Sequence, residues 1–182
     1  STTHIGYLAA LEKLQNLTGF SDKRYIYNQD FHKTDKQNSI ANIGFDTNLN
    51  IEKILEKNIK VVFIYGVSND IESVRQKLLR AGVIPIIVGE YTEPHPLGKA
   101  EWIKFFGAFF NEQSRADSIF NSIKNDYENL RSITDTITNK PTVFTGLPWK
   151  DTWHTPGGKT ITGTLIKDAG ADYIFKNDTT SI

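Results

Sequence analysis

Hydrophobic residues recur at spacings of three and four along residues 111–137, the longest stretch of the chain without glycine or proline. Polar and charged residues fill the positions between them, as in a helix with one apolar stripe. Asn111 is a suitable N-cap, and Lys140 and Pro141 close the segment. The pattern predicts one helix, roughly 40 Å long at about 1.5 Å per residue, that either joins two halves of a protein or packs along one sheet. The stripe consists of Ala116, Ile119, Phe120, Ile123, Tyr127, Leu130, Ile133 and Ile137.

The segments before this helix alternate between helical and strand patterns. Residues 1–14 place apolar side chains on one helical face, and residues 61–66 and 83–89 are continuous apolar, β-branched runs typical of buried parallel strands. Residues 68–82 between these runs have a helical pattern that ends in glycine. The order strand, helix, strand is a βαβ unit, which predicts a parallel sheet.

Shorter patterns complete the predicted order of elements. They are a short strand in 17–21, a polar loop in 23–42, a short helix capped by Asn50, an aromatic helix in 97–110, a strand in 140–149, a loop in 151–158, a helix in 159–170 and a last strand in 171–175. We therefore predict an α/β protein with an N-terminal lobe in 1–110, a bridging helix in 111–138 and the start of a C-terminal lobe in 139–182.

The composition indicates a globular protein and excludes several classes. Hydrophobic residues make up 38% of the 182 positions, and Lys+Arg and Asp+Glu balance at 21 each, so nothing indicates a nucleic-acid partner. With no cysteine there is neither a disulfide nor a thiolate metal site. The chain also has no methionine, so we expect that Ser1 is not the native start and that the chain is a fragment or a processed form.

Several segments together resemble one family. They are STTHIGYLAALEKL, GFDTNLNIEKILEKN, VVFIYG, LLRAGVIPIIVGEYTEPHPLGKAEWIKFFGAFF and WHTPGGKTITGTLIKDAGADYIF. The chain is similar to the substrate-binding proteins of ABC importers for iron-siderophores, haem and vitamin B12. The resemblance implies a class III periplasmic-binding-protein-like fold, with a parallel-sheet N-terminal lobe, one long backbone helix and a C-terminal α/β lobe. Family members have a strand before the STTH segment and a longer second lobe, so we expect both to be missing here and the C-terminal lobe to be truncated.

Ligands of open parallel sheets bind outside the carboxyl ends of the strands. This rule selects Tyr65 and Gly66, where the tyrosine either contacts a ligand or packs at the rim. It also selects Glu90 and Tyr91, beside His95, for which a plain surface loop is the alternative.

The helix start at Ser1, Thr2, Thr3 and His4 offers free N–H groups to an anionic ligand. The alternative is a simple N-cap with His4 facing solvent.

A tryptophan-containing loop before the 159–170 helix is the strongest candidate for ligand binding. A large flat ring there lies beside free backbone N–H groups of a Pro-Gly-Gly segment, which suits a flat or chelated ligand. By resemblance this loop faces the cleft from the second lobe. The residues are Trp149, Trp153, His154, Thr155, Gly157 and Gly158, with Tyr25 and Tyr27 as further loop candidates and Trp102 assigned to a helix core.

Three alternatives concern the kind of site. A bare Zn²⁺ or Mn²⁺ site would use His4, Glu90 and His154, although no metal-ligand spacing supports it. Haem would take Tyr65, Tyr91 or His154 as an axial ligand. An α/β enzyme with an unrecognised site is the rival class, but the sequence has no GxSxG, Walker A, GxGxxG or HExxH motif.

The resemblance implies a non-enzymatic receptor that captures an iron chelate or a corrinoid and delivers it to an ABC permease. Such a protein would be periplasmic or lipid-anchored and monomeric, with no cofactor of its own. Acidic side chains of this family dock on permease arginines, and Glu72 is the candidate in the N-terminal lobe.

Overall fold

The computed structural model describes residues 2–34, 39–45, 48–66 and 70–179. The chain divides into two compact units. The first comprises Ser1–Gly89 and Phe106–Glu112, and the second comprises Glu90–Phe105 and Gln113–Ile182. The lobe boundaries and the bridging role of the long helix remain predictions.

The described residues form an α/β arrangement. The helices are α1 (His4–Ala10), α2 (Gln29–Thr34), α3 (Ile51–Glu56), α4 (Ile71–Arg80), α5 (Pro96–Phe109), α6 (Gln113–Asp135) and α7 (Ile161–Asp168). The strands are β1 (Gly19–Phe20), β2 (Ala41–Asn42), β3 (Val61–Tyr65), β4 (Ile84–Val88), β5 (Thr142–Val143), β6 (Leu147–Trp149), β7 (Thr152–His154) and β8 (Asp172–Tyr173). None of the described helices is both long and apolar enough to cross a membrane.

The predicted βαβ unit is confirmed in the first unit. β3 and β4 pair in parallel from Val61 opposite Ile84 to Tyr65 opposite Val88, with α4 between them in sequence. Val62 and Ile64 project from β3 into a buried cluster that includes Ile54 of α3 and Leu78 of α4. The β3 run therefore contributes to the core, whereas β4 is fully buried only at Val88, because Ile84 and Ile87 are about half exposed.

The loop predicted for residues 23–42 is wrong in part. It contains α2, in which Phe31 is fully buried, and β2, which pairs in parallel with β1. Its polar composition hid both elements, because each is short and has few apolar residues. The predicted cap of α3 is confirmed, since the Asn50 side chain accepts a hydrogen bond of 2.8 Å from the backbone N–H of Lys53.

The long helix is confirmed with shifted ends. α6 begins at Gln113 because Asn111 has a φ of 55° and ends the turn after α5 instead of capping α6. Its 23 residues span roughly 34 Å. Ala116 and Phe120 are buried, whereas Leu130 and Ile133 further along the stripe are exposed.

The second unit contains two small strand pairs. β5 and β8 are parallel, in agreement with a second α/β unit, and β6 and β7 are antiparallel. The loop predicted for 151–158 is therefore wrong over β7, which forms a hairpin with β6. α7 begins at the predicted threonine cap, where the Thr160 side chain accepts a hydrogen bond from the Gly163 N–H.

Candidate functional site

A hairpin in the second unit carries the tryptophans that the sequence selected. β6 and β7 are joined by a two-residue turn in which Lys150 has a φ of 53°. Gly146, just before β6, has a φ of 104°, and a Cβ there would collide with the carbonyl oxygen of His154. Glycine is therefore required at position 146 for the two strands to approach.

The hairpin exposes large apolar side chains on both of its faces. Because side chains alternate along a strand and paired residues share a face, Leu147 and Trp149 lie on the same face as His154. Trp153 lies on the other face, where Phe144 packs against it with ring centroids 5.4 Å apart. Leu147 is 82% exposed, Trp149 70% and Trp153 51%. We call Phe144, Leu147, Trp149 and Trp153 the aromatic hairpin; Phe144 is a member that the sequence did not indicate.

The segment after the hairpin is held by a buried tyrosine. Tyr173 of β8 is 2% exposed, and its hydroxyl donates to the carbonyl oxygen of Pro156 and lies 2.8 Å from Oγ1 of Thr155. The hydroxyl of Thr155 therefore has a partner within the protein. Sequence reasoning selected Thr155 as a ligand contact and missed Tyr173.

The Pro-Gly-Gly segment does not offer all of the free N–H groups that were predicted. The Gly158 N–H donates to the Asp178 carbonyl oxygen at 2.9 Å, so it is used within the fold. The Gly157 carbonyl oxygen accepts from both the N–H and the hydroxyl of Thr160. A side chain at Gly158 would collide with the backbone of Lys176. Close packing against the backbone of Lys176 therefore explains the glycine at position 158.

His4 is buried, so the alternative of a solvent-facing histidine is wrong. It is the first residue of α1, is 4% exposed, and its ring packs 5.6 Å from Phe106 and 6.3 Å from Tyr65 between centroids. Burial lowers the pKa of His4 to about 3, because charging the imidazole would require water that the site excludes. His4 is therefore neutral at physiological pH.

The start of α1 lacks the geometry of a side-chain cap. Thr3 occupies the N-cap position with helical backbone angles and makes no capping hydrogen bond through its side chain. The carbonyl oxygens of Thr2 and Thr3 accept from Ile5 and Gly6 instead. Ser1, which belonged to the same predicted cluster, lies outside the described residues.

Three predicted residues of the first unit meet at one cavity. Thr2, His4 and Tyr65 line a cavity of about 500 Å³, whose wall also includes all of β1 and β3. Gly66 directly follows Tyr65 at the end of β3. Tyr65, which was selected because it ends a strand, therefore lines the same cavity as the helix-start residues Thr2 and His4.

The residues after β4 separate into buried and exposed positions. Glu90 begins a short 3₁₀ helix, Glu90–Thr92, and is 1% exposed, whereas Tyr91 is 37% exposed. Tyr91 is thus available for contact and Glu90 is not. Tyr25 and Tyr27 are exposed in the first unit, and the indole N–H of Trp102 donates to Oε1 of Glu93 at 2.9 Å.

A carboxylate cluster in the second unit was not predicted. Asp168, the last residue of α7, accepts a 2.6 Å hydrogen bond from the Tyr127 hydroxyl, and its other oxygen lies 3.7 Å from Nε of Arg131. Nε2 of His95 lies 3.9 Å from the same carboxylate. Burial, together with the bond to Asp168, raises the pKa of Tyr127 to about 12. No local pattern could reveal this cluster, because its members come from three segments that are far apart in sequence.

Neither the metal nor the docking prediction is settled by the geometry. Within the described ranges, no group of three or more His, Asp or Glu side chains is placed to hold a metal ion. Glu72 lies exposed on α4, where Arg75 makes two hydrogen bonds to its carboxylate and Gln76 makes one. The hydrogen bonds from Arg75 and, to a smaller extent, from Gln76 lower the pKa of Glu72 to about 2.

The chain matches the family model described as "Periplasmic binding protein" over residues 1–181. It therefore belongs to the periplasmic binding protein family, and its fold is the predicted class III type. The family and the structural neighbours below are binding proteins rather than enzymes, as the sequence predicted.

Individual relatives agree with this assignment. An uncharacterised lipoprotein of Methanocaldococcus jannaschii is 28% identical over 154 residues, which are 83% of this chain and 36% of the relative. A structure described as a possible iron-binding (periplasmic solute-binding) protein from Staphylococcus epidermidis has a TM-score of 0.72 at 17% identity, covering 97% of this chain and 66% of the other. The periplasmic haem-binding protein of Vibrio cholerae has a TM-score of 0.72 at 16% identity, covering 97% and 64%. The chain thus spans little more than a third of the curated relative and about two thirds of the solved neighbours.

Proposed function

We propose that this chain is part of an extracytoplasmic substrate-binding protein that captures a metal chelate and delivers it to an ABC importer. The family assignment supports the binding role, and the relative named as a lipoprotein supports a location outside the cytoplasm with a lipid anchor. The ligand class is an iron-siderophore or a corrinoid.

The aromatic hairpin is the observation that carries this proposal. Soluble proteins seldom expose several large apolar side chains together unless the patch binds something. Trp149 and Trp153 provide flat surfaces for the rings or the organic shell of a chelate, and they are held on paired strands instead of a free loop. A rigid aromatic platform lowers the entropic cost of binding.

Haem is a second candidate ligand because of one further observation. The exposed imidazole of His154 shares a hairpin face with Trp149, so one face of the hairpin offers both an axial nitrogen ligand and an aromatic ring. The siderophore or corrinoid proposal needs no axial ligand. Replacing His154 therefore separates the two candidates.

Delivery would involve contact between acidic side chains and the permease, with Glu72 as the candidate in the first unit. A permease arginine would have to replace Arg75 at the Glu72 carboxylate. Because both side chains are exposed, exchanging one arginine partner for another costs little free energy.

Ligand titration of the full-length protein tests the proposal. The probes are ferric ferrichrome, ferric enterobactin, haem and cyanocobalamin, followed by tryptophan fluorescence. We expect one probe to bind, and at least one of Trp149→Ala and Trp153→Ala, which lie on opposite faces of the hairpin, to weaken it about tenfold or more, which corresponds to about 1.4 kcal/mol. Leu130→Ala, which removes an exposed apolar side chain of α6, is the control and should leave the affinity unchanged.

Each outcome has a definite meaning. Failure of all four probes to bind would overturn the proposed ligand classes. Binding that both tryptophan variants retain in full would exclude the aromatic hairpin as the site. Haem binding whose absorption spectrum changes in His154→Ala would select haem.

A further inference from the structure

Both ends of the segment that carries the aromatic hairpin are attached to one residue of β8. Before the hairpin, β5 pairs in parallel with β8, and Val143 lies opposite Tyr173. After the hairpin, the Tyr173 hydroxyl donates to the Pro156 carbonyl oxygen and lies 2.8 Å from Oγ1 of Thr155. We call Val143, Thr155 and Pro156 the base of the hairpin. The backbone of Tyr173 holds one side of this base, and its side chain holds the other.

The hydroxyl of Tyr173 makes both of its hydrogen bonds within the protein. Its single proton goes to the Pro156 carbonyl oxygen, so the Thr155 hydroxyl donates to the Tyr173 oxygen. Tyr173 is 2% exposed, and its ring packs against Phe175 with centroids 5.8 Å apart. Replacement of the tyrosine by phenylalanine would therefore remove both hydrogen bonds and keep the packing of the ring.

The aromatic hairpin depends on its base because its own side chains are poorly packed. Leu147, Trp149 and Trp153 are all more than half exposed. Segments with few buried apolar contacts move easily, so the backbone that carries these rings sets their direction. β7 ends at His154, directly before Thr155, and a shift at Thr155 would therefore pass straight into the strand.

We propose that Tyr173 is a positioning residue of the ligand site, which keeps the base of the hairpin closed and thereby fixes the orientation of Trp149 and Trp153. This inference rests on the proposed function, in which those two rings contact the ligand. Rings that are already ordered bind without the entropic cost of ordering them. Loss of the Tyr173 hydroxyl therefore weakens binding, although Tyr173 is too buried to touch the ligand itself.

The orientation of the rings is tested without ligand. The full-length protein is labelled with 5-fluorotryptophan, and each fluorine NMR line is assigned by replacing one tryptophan with phenylalanine. We expect Tyr173→Phe to shift or broaden the lines of Trp149 and Trp153, because the base of the hairpin gains alternative positions. Trp102 of α5, whose indole N–H donates to Glu93, should keep its line.

The effect on binding is measured with whichever of the four probes binds. Tyr173→Phe should weaken its affinity about threefold or more, which corresponds to about a third or less of the molecules holding the binding conformation. A residue that only stabilised the fold would behave differently. Its loss would lower the free energy of unfolding but leave the fluorine lines and the affinity of the folded protein unchanged.

The matched control is Tyr127→Phe. It also removes a tyrosine hydroxyl that donates a hydrogen bond in the second unit, at 2.6 Å to Asp168. It should leave the lines of Trp149 and Trp153 and the affinity unchanged. If Tyr173→Phe does not fold, Thr155→Val removes one of the two hydrogen bonds without altering the buried ring, and it should still shift the line of Trp153.

The outcomes are distinct for this proposal and for the proposed function. Unchanged lines of both hairpin tryptophans in the folded variant, equal changes in Tyr127→Phe, or a loss of affinity below threefold would overturn the positioning role of Tyr173. If none of the four probes binds, the proposed ligand classes fail, and the fluorine spectra alone decide whether Tyr173 orients the hairpin.

Discussion

The central residues of β3 and the hairpin of β6 and β7 use apolar side chains in opposite ways. In the pair β3 and β4, Val62 and Ile64 are each 7% exposed and pack into the core of the first unit. In the pair β6 and β7, Leu147 and both tryptophans are more than half exposed. Hydrophobic character alone therefore does not separate residues that stabilise the fold from residues available for binding.

The difference follows from what covers each pair. Helix residues such as Leu78 of α4 and Ile54 of α3 cover β3, so its side chains contribute burial energy. The hairpin of β6 and β7 is held by its turn, by Gly146 and by the Phe144–Trp153 contact, and its exposed area contributes little to stability. An exposed apolar surface of this kind lowers the solubility of a protein. Its presence therefore indicates that it binds something.

Truncating one residue in each pair should give the largest contrast. We expect Ile64→Ala to lower the free energy of unfolding of the first unit by about 2–5 kcal/mol, because it leaves a cavity in the core. Leu147→Ala should change the stability by less than about 0.5 kcal/mol. Urea unfolding followed by far-UV circular dichroism measures both, and similar losses in the two variants would contradict the distinction.

A second contrast concerns pH and the buried His4. The pKa of His4 is about 3 in the folded chain against 6.5 for an unperturbed histidine. At pH 7.5 the group is neutral in both states, so it does not affect stability. Below pH 6.5 the unfolded chain takes up a proton that the folded chain does not, and stability falls until about pH 3.

At pH 5 we expect this difference to cost about 2 kcal/mol. Urea unfolding at pH 7.5 and pH 5 should show a smaller loss of stability in His4→Gln than in the unsubstituted chain, by that amount. Equal losses in the two proteins would show that His4 takes up its proton readily in the folded state.

The smallest expected changes in stability come from replacing one glycine in each unit by alanine. Gly146→Ala should weaken the hairpin by about 1 kcal/mol or more, because alanine is strained at a φ of 104° and its Cβ meets the His154 carbonyl. Gly6→Ala in α1 has open space around its Cβ and should stabilise the helix by about 0.5–1 kcal/mol. Trp153 fluorescence measures the effect on the hairpin, and thermal unfolding measures the effect on α1. If Gly146→Ala left the stability of the hairpin unchanged, the backbone at position 146 would be able to adopt another conformation.

Sequence patterns predicted the elements that have a clear period. The stripe of α6 and the apolar runs of β3 and β4 were found because their burial imposes a repeat on the sequence. The cap Asn50 was found because its chemistry is local. The predicted cap of α6 at Asn111 was wrong because asparagine is both a common N-cap and one of the few residues that adopt a positive φ readily.

The candidate site was less predictable because it depends on contacts between distant residues. Trp149 and Trp153 were selected, but their place on a hairpin was hidden by Pro148 and by apolar residues on both faces. Local composition does not show that Glu90 is buried. Nor does it show that the Gly158 N–H donates to the Asp178 carbonyl oxygen. Tyr173 was missed for the same reason, since its partners precede it by 17 and 18 residues.

The bond between Tyr127 and Asp168 has a consequence for the order of assembly. The two residues are 41 positions apart, so a long loop must close before their hydrogen bond can form. α6 can form from its own local interactions, whereas α7 gains its anchoring to α6 only afterwards, when Asp168 also accepts from Thr134 through its backbone carbonyl. During synthesis α6 is therefore expected to form first, and α7 to pack onto it last.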